Sequence, residues 1–206
     1  MRFDERAVRA TTDFIRDYFL SPAYDRPGDH RPTLLKTSLI QPHYPFFTDE
    51  ERFEYYLNRV PIYDDEPFFD HPDLSRTNYG PDVDASTRDI RRATAAYYGR
   101  IETMDEHYGT VLDALRAAGE DLEEWIIVYT SDHGEMLGEH AVWEKKQFFE
   151  AAARVPLIIR WPDGFDPGAV QRNVNLCDLF ATLCDLAGIE LPDEEDTVGG
   201  AGLDRR

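Results

Sequence analysis

The 206 residues carry 41 acidic against 22 basic side chains, a net charge of −19 at pH 7, with 42% hydrophobic residues. A chain of this length can bury one sizeable core, and one domain spanning 1–206 is the expectation. The charge argues against nucleic-acid phosphates or an anionic membrane as a partner, so any anionic substrate must meet a local positive site.

The basic residues are nineteen Arg and only three Lys: Lys36, Lys145 and Lys146. An acidic, lysine-poor surface suits a high-salt cytoplasm, where screening offsets self-repulsion; an ordinary GC-rich genome gives the same bias. No stretch reaches the roughly eighteen apolar residues of a membrane span, and the start "MRFDE" leads into no signal-peptide core, so a cytoplasmic protein is expected. Cys177 and Cys184 stand seven apart in a helix-periodic stretch, which predicts two small hydrophobes on one buried face rather than a disulfide or a metal site.

In chain order, "ERAVRATTDFIRDYFL" (5–20) places Val8, Thr11, Ile15, Tyr18 and Phe19 at helical spacing before Pro22. "LLKTSLI" (34–40) reads as a short buried strand. A Pro-bracketed loop, "QPHYPFFT", then leads to a short helix from about Asp49 to Leu57. Residues 58–85, rich in Pro, Asp and Tyr, read as a long surface loop that shapes access to a site.

A long helix is predicted from Thr87 to Ala118, with Ser86 and Asp89 as its capping box and a stripe of Ile90, Thr94, Tyr97, Ile101, Met104, Tyr108, Leu112 and Leu115. "WIIVYT" (125–130) and "VPLIIRW" (155–161) read as strands, and "VNLCDLFATLCDLAG" (174–188) as an amphipathic helix closed by Gly188. Strands separated by helices predict an α/β fold with a largely parallel sheet flanked by helices, its ligands at the carboxyl ends of the strands.

That rule directs attention to Ser131, Asp132, His133 and Gly134, just after strand 125–130. A carboxylate beside an imidazole can supply two ligands to a divalent cation; equally, Asp132 can cap a turn while His133 bonds the backbone. Glu135, Glu139, His140, Glu144, Lys145 and Lys146 follow closely. Lysine is a mobile point charge suited to phosphate- or sulfate-like oxyanions, although Lys146 can instead bridge to Glu150 on a solvated helix face.

The stretch "YTSDHGEMLGEHAVWEKKQFFEAAARVPLIIRWP" resembles the sulfatase family of the alkaline-phosphatase-like superfamily, with its run S-D-H-G-D/E-x-L-G-E-H, then W-x-K, then R-V-P-L-I-I-R. "LLKTSLIQPHYPF", "AYYGRIETMDEHYGTVLDALRAAG" and "VNLCDLFATLCDLAGIELP" are similar to further segments of that family, so nearly the whole chain is covered. The resemblance implies that Asp132 and His133 bind a divalent metal, usually Ca2+. It also implies that Lys145 binds the sulfate oxyanion, that His43 contacts the sulfate or protonates the leaving oxygen, and that His140 supports the substrate site. His30, His71 and His107 match no functional position.

The sequence departs from the family at the nucleophile. The hydrated formylglycine of such sulfatases is made from a C/S-x-P-x-R motif, and none of the 206 residues forms one. The paired acidic ligands expected on a sulfatase's first strand are also missing. The expectation is therefore a central to C-proximal part of a sulfatase domain, with N-terminal strands absent and a tail at about 192–206 leading toward a C-terminal subdomain. Such a chain would be inactive alone and would act on a sulfate ester together with an N-terminal half, either separately encoded or belonging to a longer chain of which these residues are a part. A related phosphoester or phosphonate ester hydrolase, or a non-catalytic binding remnant, are the alternatives.

Overall fold

The computed structural model describes residues 2–22, 24, 33–62, 86–146 and 148–191. Two compact units emerge, residues 1–30 with 35–165, and 31–34 with 166–206. Most of the 58–85 stretch and all of the 192–206 tail lie outside the described residues.

In the first unit, helix α1 (Arg2–Phe19) buries Asp4, Val8, Ile15 and Phe19, a single stripe at helical spacing. Thr11 is half-buried and Tyr18 turns outward to stack on Phe14. Val8, Ile15 and Phe19 meet Val111 and Leu115 of helix α3 (Thr87–Ala117), together with Leu122, in the main apolar core. Fully burying each such side chain contributes about 1.5–3 kcal/mol. Helix α2 (Glu50–Leu57) is capped by Asp49, whose carboxylate accepts the Arg52 N–H, and it packs on α3. Arg52 reinforces that contact by pairing with Asp49, Glu102 and Glu106.

The α3 cap forms as the sequence predicts: the Ser86 hydroxyl accepts the Asp89 N–H and donates to the Asp89 carboxylate at 2.6 Å. The helix ends at Gly119, whose φ of 93° would strain a residue with a Cβ. Its buried stripe is wider than apolar periodicity alone predicts. Ala95, Ala96, Gly99 and Arg100 are buried, whereas Ile101 is 36% exposed. Small residues on that face admit a close neighbour, since a Cβ on Gly99 would lie 2.5 Å from Thr48 Oγ1.

Strands β1 (Ile127–Thr130) and β2 (Leu157–Arg160) pair antiparallel, with Ile127 opposite Arg160 and Thr130 opposite Leu157. This corrects the parallel arrangement expected above. A parallel pair needs a crossover that carries the chain back along the sheet. The connection here is instead a glycine-punctuated loop followed by the four-residue helix α4 (Glu150–Ala153), which reverses direction. The strand expected at 34–40 also forms no ladder among the described residues. Its alternating burial is nonetheless strand-like, and Leu35 and Leu39 pack on the core. β1 rests on α3 through an edge-on contact of Tyr129 with Tyr108, 5.4 Å between centroids.

In the second unit, Asn175 caps a 3-10 turn, Leu176–Asp178, by accepting the Cys177 N–H. Helix α5 (Leu179–Leu186) follows and closes at Gly188 with φ 65°. Cys184 is buried but Cys177 is exposed, which corrects the expected shared face. The 3-10 turn interrupts the 3.6-residue period, so a spacing of seven no longer returns to one side. No helix among the described residues is long and apolar enough to cross a membrane.

Candidate functional site

Two loops meet at the carboxyl end of β1. The first leaves the strand at Ser131, whose hydroxyl donates to the His133 carbonyl at 2.9 Å, while the His133 N–H donates to Asp132 Oδ1 at 3.0 Å. The Gly134 N–H then donates to the Ala152 carbonyl at 2.8 Å. This turn aims both side chains away from the sheet: Asp132 is 85% exposed in its side chain and His133 35%.

Beyond Gly134 the chain folds back on itself. The Met136 N–H donates to the Glu144 carbonyl and the Gly138 N–H to the Val142 carbonyl, while Met136 and Leu137 are buried. Gly138, at φ 92°, lies against Ile90 of α3. Glu135 holds the returning limb, its carboxylate accepting the Glu144 N–H at 2.6 Å. The residue after Glu144 is Lys145.

The second loop, 41–48, carries His43. Its Nδ1 lies 2.8 Å from the Tyr44 carbonyl, which can only accept, so Nδ1 bears the hydrogen and Nε2 presents a lone pair. Lys145 Nζ donates to that Nε2 at 2.5 Å and sits 5.1 Å above the Tyr44 ring. The His43 and His133 rings are 6.4 Å apart. His133 Nδ1 likewise faces the Gly134 carbonyl at 2.8 Å, leaving its Nε2 as an acceptor 3.7 Å from Asp132 Oδ2.

Four residues singled out from sequence, His43, Asp132, His133 and Lys145, thus converge from positions up to 102 apart. His140 occupies a left-handed turn at φ 53° and stacks on Phe149 at 4.2 Å. Lys146 pairs with Glu144 at 3.8 Å rather than with Glu150, which faces Arg154 at 3.9 Å. That Arg154–Glu150 pair is a solvent-exposed i,i+4 contact.

Asp132 and His133 offer one carboxylate oxygen and one imidazole nitrogen to a cation, donors that suit a divalent metal. They supply fewer than the roughly six to eight ligands Ca2+ takes. Among the described residues no group of three or more His, Cys, Asp or Glu is placed to hold a metal.

Two groups beneath the site are shifted by burial. Burial raises the Glu135 carboxyl, with Lys145 and the Glu144 N–H opposing, and burial together with the Glu135 charge pushes Tyr97 up to about 12. In the sequence Glu135 is one member of an ionisable cluster; its job of holding Glu144 is visible only in the loop's path. Because the folded-state value is raised, the stabilisation is present below the ordinary value of 4.5 and is lost as pH rises through the folded value. Glu135→Gln should flatten that decline in denaturant melts while keeping an acceptor for Glu144. Glu135→Ala should lose about 1–3 kcal/mol at acid pH, because the Glu144 N–H is left unpaired, and the loss should shrink as pH rises through the folded value.

A carboxylate–imidazole pair and a lysine–imidazole pair thus lie together at one strand end. The chain belongs to the sulfatase family, whose profile matches residues 4–189. It is similar to the choline-sulfatase of Rhizobium meliloti, 33% identical over 84% of this chain and 35% of the relative, and to an arylsulfatase of Clostridium perfringens, 30% identical over 90% and 38%. The chain therefore spans less than two fifths of the length of these relatives.

Among solved structures, a phosphonate monoester hydrolase from Silicibacter pomeroyi superposes with TM-score 0.66 at 26% identity, covering 97% of this chain and 42% of that one. A sulfatase-type protein from Bacteroides fragilis gives 0.68 at 24% identity, covering 95% and 39%, a likeness of fold alone. The fold is accordingly alkaline-phosphatase-like, mixing helices and sheet.

Proposed function

We propose that this chain supplies the oxyanion-binding and part of the metal-binding side of a sulfuric ester hydrolase. The observation that carries the reading is the contact of Lys145 Nζ with His43 Nε2 beside His133. A sulfate ester entering there exchanges the imidazole for its own oxygens as acceptors of the lysine's hydrogens. As a nucleophile from the N-terminal segment bonds to sulfur and the S–O electron pair departs with the leaving oxygen, the ammonium stabilises the negative charge of the transferring group.

His43, relieved of the lysine and held through Nδ1 by the Tyr44 carbonyl, is positioned to carry a proton on Nε2 to the leaving oxygen. Asp132 and His133 would hold the divalent cation, Ca2+ in the family's usual chemistry, which supplies further neutralisation of the oxyanion. His140 would fix the far limb of the loop through Phe149. With no formylglycine motif in these 206 residues, the chain binds oxyanions but does not turn esters over by itself, and an N-terminal sulfatase segment completes it.

A second reading, phosphate or phosphonate monoester hydrolysis, is favoured by the Silicibacter pomeroyi neighbour and by the nature of Lys145, a point charge that accepts either tetrahedral anion. Aryl sulfate and aryl phosphate assayed side by side, with the chain alone and with an N-terminal sulfatase segment added in trans, separate the readings. The expected result is no turnover alone and faster sulfate turnover when complemented. Faster phosphate turnover would establish the second reading, and turnover by the chain alone would contradict the first.

A further inference from the structure

The His43 loop is fastened at both ends by buried charged side chains of helices α1 and α3, remote from it in sequence. Asp4 of α1 is 2% exposed, and its carboxylate accepts the Ile40 N–H at 2.6 Å. The Ile40 carbonyl in turn accepts the His43 N–H at 2.9 Å. At the other end Arg100 of α3, 5% exposed, donates to the Phe47 carbonyl at 3.4 Å. Gln41, between these anchors, is also buried.

A buried carboxylate is retained only where hydrogen bonds or opposite charge offset its desolvation. Burial draws the Arg100 guanidinium below its ordinary value, and the Asp4 charge opposes that shift, so the two anchors sense each other electrostatically. We infer that Asp4 and Arg100 are positioning residues for His43: they fix the 40–47 backbone from both sides, so that the imidazole meets Lys145 through Nε2. The inference rests on the site reading above and deepens it, assigning to two interior charges a function that neither performs by touching substrate.

The structural logic is a short relay. Asp4 fixes the Ile40 amide plane, Ile40 fixes the His43 amide, and the Tyr44 carbonyl then selects the Nδ1–H tautomer. Loosening the first link frees the loop to rotate, and His43 loses its preference for one tautomer. His133 depends on Gly134 instead, so it serves as an internal control.

Long-range 15N–1H NMR of the histidine rings in the 206-residue chain tests this. Wild type should show His43 as a single Nδ1–H tautomer. Asp4→Ala should convert it to a tautomer mixture with His133 unchanged, and Asp4→Asn, which keeps an oxygen acceptor, should restore the wild-type pattern. Should Asp4→Ala fail to fold, hydrogen exchange in Asp4→Asn takes its place. The weaker acceptor should speed exchange at the Ile40 and His43 amides by about tenfold and leave the α1 amides unchanged. A folded Asp4→Ala with an unaltered His43, or unaltered exchange in Asp4→Asn, overturns the inference alone. A wild type without the single tautomer overturns the site reading, and the inference with it.

Discussion

Lys145→Ala should weaken binding of inorganic sulfate to the chain by about tenfold or more, the loss of one charge-assisted hydrogen bond. In a complemented, hydrolytically active protein the same change should lower kcat by about 10²–10³, the usual effect of removing one donor from a developing oxyanion. Binding falls less than turnover because the ammonium interacts more strongly with the charge of the transition state than with the ground state. Lys145→Arg keeps the charge but replaces a compact ammonium with a planar fork, so it should recover binding better than rate. Calorimetry and steady-state assays check both parts, and the fold should be untouched, since Lys145 lies outside the apolar core.

The second large effect is on stability. A Cβ added to Gly134 would lie 2.0 Å from the Ala151 carbonyl oxygen, an approach that backbone cannot relieve locally. Gly134→Ala must therefore push α4 away and break the hydrogen bond from the Gly134 N–H to Ala152. Overpacking and the lost bond together should cost about 2–4 kcal/mol, which for a chain of this size is a fall in Tm of roughly 5–15 °C. Thermal denaturation reads it directly. The displaced turn also carries Asp132 and His133, so sulfate affinity should fall even below the melting temperature.

The helices were legible in the sequence because apolar side chains at steps of three and four leave few alternatives: Val8, Ile15 and Phe19 lie where the period puts them. Asp4 and Arg100 escaped for the opposite reason. A charged residue on a helix reads as a solvated face, and only a specific partner such as the Ile40 N–H reveals that it is interior. Strand direction escaped too, since alternation and β-branched content report extended backbone but not which way a neighbour runs. The apolar 34–40 run reads as a buried strand, yet it forms no ladder among the described residues and Leu34 and Ile40 are exposed, since apolar content does not report hydrogen-bond partners.

The site was legible through pattern rather than physics. Nothing in the local chemistry of "PHYP" predicts that His43 meets a lysine 102 residues away; the family resemblance singles out both, and the fold brings them together. The turn conformations behind that meeting were less visible. Leu137, His140 and Glu144 all adopt positive φ, at 48°, 53° and 69°, without being glycine. Residues with a Cβ enter that region where surrounding structure holds them, here the loop that presents Lys145.

In the proposed function, His43 and Lys145 form one oxyanion site, flanked by Asp132 and His133. Titrating the isotope-labelled chain with inorganic sulfate while following the His43 Nε2 and Lys145 Nζ signals tests it most directly. Both signals should move together along one saturable curve, and the His43 response should vanish in Lys145→Ala. Sulfate that shifts arginine signals while leaving His43 and Lys145 unmoved would contradict it.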